Sequence, residues 1–385
     1  SAGDLMANSS PIRVALVISN LEFGGAQRQV VELINHLDPH RFDAHVVSLS
    51  PYVPLAEGLR DRGRLHVITK RFKFDATVIP RLSKWLRRFG ADIVHSFLFD
   101  ADIAARVAGR RAGAVVIGSE RNTDYHLKKR QLFFYRLTRG CMDLLIANSR
   151  AGSEFNRRVL GHQDSQYRVI HNGVDAERFR PRPRDELRLR AELPPDAPLV
   201  GMFASFKEQK NHPLLFQAAR RVLDRLPDTR FLLVGDELYA GMHGSDVYKQ
   251  NMERTVDALR LREACIFLGN RADVADLYGA CDLTVLPSLF EGTPNVVLES
   301  MACGVPVVVT DVSDNAYIVP EGRAGFVVPL GDAEALADRI VRLIEEPGLQ
   351  AELGRGAREW VMAEFSIPRL VEKTGAVYEE ALRGR

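Results

Sequence analysis

The sequence predicts an α/β chain built from two doubly wound parallel sheets, one in each half. In both halves, short apolar segments rich in β-branched residues alternate with helical patterns, as successive βαβ units do. The 385 residues suit two domains of ordinary size. An apolar content of 46% and a charged content of 26% are typical of soluble globular proteins. We therefore predict two Rossmann-like domains that face a cleft.

The N-terminal domain is predicted to span residues 6–180. Helical patterns lie between several of its apolar segments, and the clearest covers residues 26–37. This alternation predicts a parallel sheet. The strand candidates are residues 13–19, 43–50, 65–69, 92–99, 114–120 and 144–149.

The C-terminal domain is predicted to span residues 181–366. The segment 180–198 is rich in proline and charge and poor in apolar residues, so the linker is expected in or just before it. An amphipathic helix is predicted at 367–382. The strand candidates of this domain are residues 199–205, 230–236, 265–269, 283–288 and 305–311.

Composition also indicates where the protein works. Residues 1–5 are expected to be a cloning remnant, and the sequence from Met6 leads directly into a strand rather than through a signal peptide. No run of 18 apolar residues occurs, so no membrane span is predicted. The four cysteines lack metal-ligand spacing and are expected to be reduced and buried. These features predict a cytoplasmic protein.

The net charge of +2 is unevenly distributed along the chain. Residues 1–180 contain 28 Lys and Arg against 18 Asp and Glu, whereas the remainder contains 24 against 32. Three segments of the positive half, 70–74, 81–89 and 126–140, interleave cations with aromatic or leucine side chains. They suit an anionic membrane surface or an anionic acceptor. Ordinary basic helices with apolar core faces are an equally open interpretation. No nucleic-acid partner is predicted.

The most informative stretch is residues 290–306, which read FEGTPNVVLESMACGVP. An apolar strand precedes it and another begins at its end. Thr293 is a good N-cap and Pro294 suits the first helical position, so a helix is predicted from there to about Cys303. This βαβ unit would place the helix N-terminus at the carboxyl edge of a parallel sheet.

Two carboxylates, Glu291 and Glu299, flank this helix start. The peptide N–H groups of Asn295, Val296 and Val297 would favour phosphate. Carboxylates accept hydrogen bonds from vicinal diols, and the two glutamates are separated by roughly 10 Å at 1.5 Å per helical residue. That span fits a nucleotide sugar, which carries a diphosphate between two sugars. The alternative is a surface helix with two solvated glutamates.

Two other loops contain candidate phosphate-binding residues. Gly24 and Gly25 follow the first strand and would let the backbone approach a ligand, although a plain tight turn explains them equally well. Lys207 and Lys210 follow the first strand of the second domain. They would add positive charge beside a diphosphate, unless they are simply solvated.

A D-x-D sequence, Asp100 to Asp102, follows another apolar strand. Such a pair can hold a divalent metal on a nucleotide diphosphate. An aspartate that caps the next helix is the favoured explanation, so no metal site is predicted.

Several motifs together resemble those of glycosyltransferase family 4, whose members are retaining enzymes of the GT-B fold. The resemblance covers essentially the whole chain in the right order. It implies transfer of a sugar from a nucleotide sugar without a required metal or other cofactor. It also implies that the last segment, 367–385, packs on the N-terminal domain. The motifs are FEGTPNVVLESMACGVPVVVTD, IHNGVDAERFRP at 170–181, the glycine pair in FGGAQR, and KEQKNH.

The resemblance assigns roles to single residues. Glu299 would bind the ribose hydroxyls, Glu291 the donor-sugar hydroxyls and Lys210 the diphosphate. Gly25 would let the N-terminal loop approach the diphosphate. The remaining donor-site residues are Asn270 and Arg271 beside the base, and Gly24, Ser205, Lys207, Gly292, Thr293, Asn295 and Val296.

Two positions depart from the family pattern. Ser205 stands where an arginine commonly precedes the phosphate lysine, so either Lys207 substitutes for it or phosphate binding is weaker. His95 matches the first histidine of a His-x-His sequence, but Phe97 replaces the second, which is the one usually tied to catalysis. His95 is kept as a candidate catalytic residue beside Glu291 and Lys210.

The expected reaction is transfer of a hexosyl or N-acetylhexosaminyl group from a UDP-sugar to a glycan or polyprenyl-linked saccharide at the cytoplasmic membrane face. Fixed positive potential from Lys210 and the helix N-terminus would stabilise the leaving diphosphate. A nucleotide-sugar epimerase on the same fold and a non-catalytic nucleotide-sugar-binding protein are the alternatives.

Overall fold

The computed structural model describes residues 10–22, 24–72, 75–121, 129–238 and 244–384. The chain divides into two compact units, and each contains its own parallel sheet. The first unit consists of residues 1–172 and 367–385, and the second consists of residues 173–366.

The first unit contains a seven-stranded sheet. Its strands are β1 (Ile12–Ile18), β2 (Phe42–Ser48), β3 (Leu65–Val67), β4 (Ile93–Phe97), β5 (Val115–Glu120), β6 (Leu144–Ala147) and β7 (Tyr167–Val169). All pairings are parallel, and the strand order is β3-β2-β1-β4-β5-β6-β7. The helices of this unit are α1 (Gly25–His36), α2 (Val78–Phe89), α3 (Phe99–Ala112), α4 (Lys129–Leu137), α5 (Arg150–Leu160) and, from the end of the chain, α14 (Ile367–Arg383).

Helices cover both faces of this sheet, so its central strands are almost continuous apolar runs. In β1, Val14, Leu16 and Ile18 belong to the apolar cluster that includes residues of α1 and α14. Ala15 and Val17 belong to the cluster formed with α2 and α3. This division follows from the two-residue period of a strand, which turns successive side chains to opposite faces.

The second unit contains a six-stranded parallel sheet in the same kind of order. Its strands are β8 (Leu199–Phe203), β9 (Arg230–Val234), β10 (Cys265–Gly269), β11 (Leu283–Leu286), β12 (Val307–Thr310) and β13 (Gly325–Val328). The strand order is β10-β9-β8-β11-β12-β13. Its helices are α6 (Arg184–Arg190), α7 (His212–Arg225), α8 (Ser245–Ala258), α9 (Val274–Ala280), α10 (Asn295–Ala302), α11 (Asn315–Ile318), α12 (Ala333–Glu345) and α13 (Pro347–Glu364).

The direction of strand succession reverses once in each sheet, between β1 and β4 in the first and between β8 and β11 in the second. In open parallel sheets, ligands bind beyond the carboxyl ends of the strands at such a reversal. The loops after β8 and β11 are therefore the expected binding loops of the second unit. The two predicted Rossmann-like sheets are confirmed.

The final helix belongs to the first unit, although the helix before it belongs to the second. α14 packs against α1, and its Tyr378 is fully buried in the apolar cluster of the first sheet. The tyrosine ring lies edge-on to Phe42 of β2, with 5.9 Å between the ring centroids. The expected return of the last helix to the N-terminal domain is confirmed by this packing.

Residues 180–198, in or just before which the linker was expected, lie within the second unit, and α6 there buries Leu187 at 2% exposure. The structure differs from the predicted pattern in two strands. The short edge strands β7 and β13 were not predicted. Three or four residues carry too little periodicity to be distinguished from a loop. In the described part of the chain, no helix is both long and apolar enough to cross a membrane.

Candidate functional site

Two loops meet at the strand reversal of the second sheet, residues 204–211 after β8 and residues 287–294 after β11. We call them the switch-point loops. The Leu289 N–H donates to the Gln209 carbonyl at 2.9 Å, and the Gln209 side-chain amide donates to the Phe290 carbonyl at 2.8 Å. Asn211 donates from its side chain to the Pro287 carbonyl at 3.0 Å. The two loops are thus held together by reciprocal hydrogen bonds.

An ion pair lies between the switch-point loops. The Lys210 ammonium and the Glu291 carboxylate are 2.5 Å apart, and their side chains are 14% and 6% exposed. The Ser288 hydroxyl donates to the same carboxylate oxygen at 2.6 Å. The structure therefore brings together two of the three predicted catalytic residues. Neither charge is left uncompensated, because each has an opposite charge within contact distance.

A third loop, after β12, supports Glu291. The Glu291 N–H donates to the Ser313 hydroxyl at 3.2 Å, and that hydroxyl donates to the Glu291 carbonyl at 2.5 Å. The Thr310 hydroxyl donates to the Ser288 carbonyl at 2.7 Å. The backbone that carries Glu291 is therefore held from both neighbouring strands of the sheet.

The second carboxylate, Glu299, lies on α10 and is 9% exposed. It accepts a hydrogen bond from the Tyr278 hydroxyl at 2.8 Å. Tyr278 is 1% exposed, and its ring stacks on Phe203 at 3.8 Å between centroids, so its position is fixed by the core. A rigid donor therefore orients the Glu299 carboxylate.

The start of α10 differs from the prediction by one residue. Pro294, rather than Thr293, precedes the first helical residue, Asn295, and has an extended backbone. The Val297 N–H donates to the Pro294 carbonyl at 3.1 Å, so it is not among the groups available to a phosphate as predicted. The tightened first turn causes this difference. Asn295 and Val296 are the first two residues of the helix, and Gly292 and Thr293 are buried in the loop before it.

Lys207 and Ser205 lie in the loop after β8. Lys207 is half-buried, and its pKa is lowered by burial and by the positive charge of Lys210, with Glu291 acting in the opposite direction. The Ser205 carbonyl accepts from the Lys207 N–H at 3.0 Å. This loop therefore carries two lysines, and Lys210 is the one that contacts Glu291 directly.

The neighbouring loop after β9 requires a glycine. Gly235 has a φ of +135°, and an added Cβ would lie 2.1 Å from the Ala204 carbonyl oxygen. The Gly235 N–H donates to the Gly269 carbonyl at 2.8 Å, which brings the residues after β10 close to this edge. There Arg271 forms two hydrogen bonds to Asp273, at 2.8 and 2.7 Å, and Asn270 is exposed.

In the first unit, the predicted glycines lie at the corresponding strand reversal. Gly24 precedes α1 and Gly25 is its first residue. The Gly24 carbonyl accepts from the Arg28 N–H at 3.0 Å, which closes the first turn. Both glycines are therefore at the carboxyl edge of the first sheet, after β1.

His95 is buried in the core of the first unit at 1% exposure. Its Nδ1 lies 2.7 Å from the Tyr378 hydroxyl and its Nε2 lies 2.7 Å from the Ser119 hydroxyl. Burial and the charge of Arg121 hold the pKa of His95 well below its usual value. Because both ring nitrogens are engaged inside the core, this geometry does not support the catalytic role expected for His95.

The two aspartates of the D-x-D sequence lie in the first turn of α3 but have different partners. Asp100 is exposed and pairs with Lys70 at 3.0 Å. Asp102 is 3% exposed and accepts from Ser96 at 2.6 Å and Tyr135 at 3.0 Å. Among the described residues, no group of three or more His, Cys, Asp or Glu side chains could hold a metal ion.

Two family models match consecutive parts of the chain. The one described as Glycosyltransferase Family 4 matches residues 23–178, and the one described as Glycosyl transferases group 1 matches residues 183–360. The lipopolysaccharide core biosynthesis mannosyltransferase LpsB of Rhizobium meliloti is 30% identical over 63% of this chain and 67% of that protein. The chain belongs to glycosyltransferase family 4.

Other relatives of this glycosyltransferase match to different extents. A D-inositol 3-phosphate glycosyltransferase of Streptomyces bingchenggensis is 33% identical over 254 residues, and the match spans about half of that enzyme, 54%. The UDP-Gal:alpha-D-GlcNAc-diphosphoundecaprenol alpha-1,3-galactosyltransferase of Escherichia coli is 26% identical over 97% of this chain and 98% of its own. Among solved structures, HepE of Anabaena in complex with UDP has a TM-score of 0.85 at 22% identity, covering 96% of this chain and 100% of that one. This likeness identifies the fold as GT-B.

Sequence reasoning about this glycosyltransferase missed Tyr278 and Ser313, which position the two glutamates. A tyrosine in an apolar helix and a serine in a loop are common, and neither lies near its glutamate in sequence. Tyr278 reaches Glu299 between the neighbouring helices α9 and α10, and Ser313 reaches Glu291 between the loops after β12 and β11, so no local pattern could have indicated them.

Proposed function

We propose that this glycosyltransferase transfers a sugar from a UDP-sugar to a saccharide acceptor with retention of anomeric configuration. The observation that carries the proposal is the ion pair of Lys210 and Glu291 between the switch-point loops, with Glu299 on the adjacent helix. The three side chains lie at the one edge of the second sheet where a nucleotide is expected to bind.

Each of these residues suits one part of the donor. Lys210 holds the diphosphate together with the peptide N–H groups at the start of α10, Glu299 accepts from the ribose hydroxyls, and Glu291 accepts from the donor-sugar hydroxyls. Lys210 already touches Glu291, so a bound diphosphate takes over part of the ammonium's hydrogen bonding. Lys207 supplies the second positive charge in place of the arginine that Ser205 replaces.

The reaction breaks the bond between the anomeric carbon and the diphosphate oxygen and forms a bond from that carbon to an acceptor hydroxyl. Negative charge develops on the departing diphosphate, where Lys210 and the α10 N-terminus supply fixed positive potential. The acceptor hydroxyl attacks from the face that the diphosphate leaves, and its proton passes to the departing phosphate oxygen. No protein base is needed for this step, which accords with the engaged nitrogens of His95.

Relatives support the choice of UDP and of the acceptor class. HepE of Anabaena has been crystallised with UDP and with UDP-glucose, and the Escherichia coli relative is a galactosyltransferase of UDP-Gal and GlcNAc-diphosphoundecaprenol. We therefore propose a hexosyl or N-acetylhexosaminyl transfer to a glycan or lipid-linked saccharide in polysaccharide assembly.

We also propose reversible contact with an anionic membrane surface through the first unit. Its basic segment 126–140 includes α4, where Lys129 and Arg130 are exposed and Phe133 is 61% exposed, whereas Phe134 and Tyr135 are half-buried. Lys128, the cation that precedes them in this segment, lies outside the described residues. Cations and apolar side chains on one short helix are typical of interfacial segments.

A thermal-shift screen of nucleotide sugars, followed by product analysis, tests the proposal. UDP-sugars should raise the melting temperature because ligands that bind the folded state stabilise it. The stabilising sugar should then be transferred when lipid-linked or soluble saccharides are added. Formation of an epimer without acceptor would instead indicate an epimerase, and binding with neither hydrolysis nor transfer would indicate a non-catalytic protein.

A further inference from the structure

A polar pocket of about 130 Å³ lies within the first unit, among α3, α4, α5 and the carboxyl end of β5. None of the residues assigned to the donor lines it. Two guanidinium groups, those of Arg106 and Arg121, line it together with two carboxylates, those of Asp102 and Glu120. With all four ionised, the pocket has no net charge.

Four side chains that line this pocket have a buried polar atom for which the described part of the chain provides no hydrogen-bond partner. Arg106 Nε and Arg121 Nε are donors, whereas Glu120 Oε2 and Asn156 Oδ1 are acceptors. Arg106 and Asn156 are 1% and 4% exposed. A buried unpaired polar atom costs about 1–3 kcal/mol, so four around one pocket indicate a polar occupant.

The unpaired donors and acceptors are equal in number, so the occupant has to donate as many hydrogen bonds as it accepts. A hydroxyl group both donates and accepts, whereas a carboxylate only accepts and an ammonium only donates. Two adjacent hydroxyls on a sugar ring supply two donors and two acceptors in a space of this size. The pocket also begins at Glu120, the last residue of β5, at the edge of the sheet where ligands bind.

We propose that this pocket receives two adjacent hydroxyls of a neutral sugar ring in the acceptor, and that the Glu120 carboxylate excludes sugar acids. The inference rests on the proposed transferase function and adds to it a charge preference for the acceptor. Glu120 is therefore a specificity-determining residue.

The protonation of Glu120 controls this preference. Burial raises the pKa of Glu120 to about 7, and the nearby Asn156 amide of α5 and the hydrogen bond from the Tyr167 hydroxyl of β7 to Glu120 Oε1 act in the opposite direction. On α3, Asp102 raises the pKa further and Arg106 lowers it. Below this pKa, Glu120 is neutral and the pocket gains one positive charge, so an anionic sugar is admitted. The other charged or titratable side chains around the pocket are Arg121 and Tyr135.

Saturation-transfer NMR with the full chain tests the proposal. The probes are methyl glycosides of glucose, galactose, mannose and N-acetylglucosamine, with the methyl glycosides of glucuronate and galacturonate as matched sugar acids. At least one neutral glycoside should bind at both pH 6 and pH 8, because it carries no charge for Glu120 to repel. The matching sugar acid should bind about tenfold more tightly at pH 6 than at pH 8. For a pKa of about 7, the protonated fraction of Glu120 differs about tenfold between these two pH values.

Two variants of matched size connect these results to the pocket. Glu120→Gln should bind the sugar acid equally at both pH values, whereas Asn156→Asp should exclude it at both. UDP affinity and melting temperature report whether each variant is folded. Binding of no neutral glycoside, or an unchanged pH dependence in Glu120→Gln, would overturn the proposal and leave the pocket to buried water.

A second-unit variant separates this proposal from the proposed function. Glu299→Ala should lose affinity for UDP and retain that for the neutral glycoside. If the wild type binds the glycoside but no UDP-sugar, the transferase proposal fails and the sugar pocket stands. If it transfers sugar but binds no neutral glycoside in this assay, the pocket proposal fails alone.

Discussion

Replacement of Glu299 by alanine tests the donor site most directly. The change removes a charged acceptor that is proposed to receive hydrogen bonds from the ribose hydroxyls. Loss of such an interaction costs about 1.5–3 kcal/mol. Since 1.4 kcal/mol corresponds to a tenfold change in affinity, the dissociation constant of UDP should rise by about 10- to 150-fold. The UDP-sugar should be weakened to the same extent.

The same change has a cost in stability that the structure predicts. Tyr278 is 1% exposed, and its hydroxyl donates to Glu299 at 2.8 Å. Without this acceptor, a buried donor is left unpaired at a cost of about 1–3 kcal/mol, and the melting temperature should fall. Glu299→Gln keeps a carbonyl oxygen for Tyr278, so it should lose less stability while still losing the charge.

Isothermal titration with UDP measures these differences. Glu291→Ala is the matched control in the same site, because its proposed contacts are to the donor sugar rather than to the nucleotide. It should retain UDP affinity and lower the rate of transfer. Equal UDP affinity in the wild type and Glu299→Ala would refute the ribose assignment.

Three further predictions concern positioning, pH and membrane contact. Ser313→Ala removes both hydrogen bonds that hold the Glu291 backbone, so kcat should fall while UDP affinity measured by titration changes little; an unchanged kcat would contradict the positioning role. Burial lowers the pKa of His212 to about 3, so the folded state binds fewer protons than the unfolded state and the free energy of unfolding should decrease below about pH 6.5. Urea titrations at about pH 5 to pH 8 measure this loss, and a free energy of unfolding that does not change with pH would disprove it. Co-sedimentation with anionic vesicles should occur at low salt and be lost at high salt, since each cation contributes about 1 kcal/mol and screening acts over about 8 Å; Lys129→Ala with Arg130→Ala should weaken it, and salt-independent binding would exclude electrostatic attachment.

The alternation of apolar strands with helical patterns was sufficient to predict both sheets. Buried parallel strands such as β1, with Val14 to Ile18 fully buried, need apolar residues on both faces, so they stand out in the sequence. The loop and helix start at 290–306 were also recognisable, because Gly, Thr and Pro at a strand-to-helix turn have strong local preferences. The placement of Glu291 and Glu299 at one sheet edge followed from that local pattern.

The supports of these residues could not be predicted in the same way. Ser313 meets Glu291 where the loops after β12 and β11 come together, and Tyr278 meets Glu299 where α9 packs beside α10, across 22 and 21 residues of the chain. The helix begins one residue later than predicted, because its first turn is tight around Pro294. Such adjustments depend on packing that a single segment does not contain.

His95 shows the limit most clearly. Its match to the first histidine of the family's His-x-His sequence made it a candidate catalytic residue, yet both ring nitrogens are held by Tyr378 and Ser119 in the core. Tyr378 lies 283 residues away in sequence and arrives only when the last helix packs on the first unit.

The sequence by itself determined the two parallel sheets and the loops that carry the proposed donor residues, because these depend on local periodicity and turn preferences, and its motifs indicated the family by resemblance. Only the tertiary structure decided which side chains are paired, buried or oriented. It paired Lys210 with Glu291, enclosed His95 and gathered Arg106, Glu120, Arg121 and Asn156 around one pocket. Hydrogen bonding and charge depend on distances of a few ångströms between groups remote in sequence, and those distances exist only once the chain is packed.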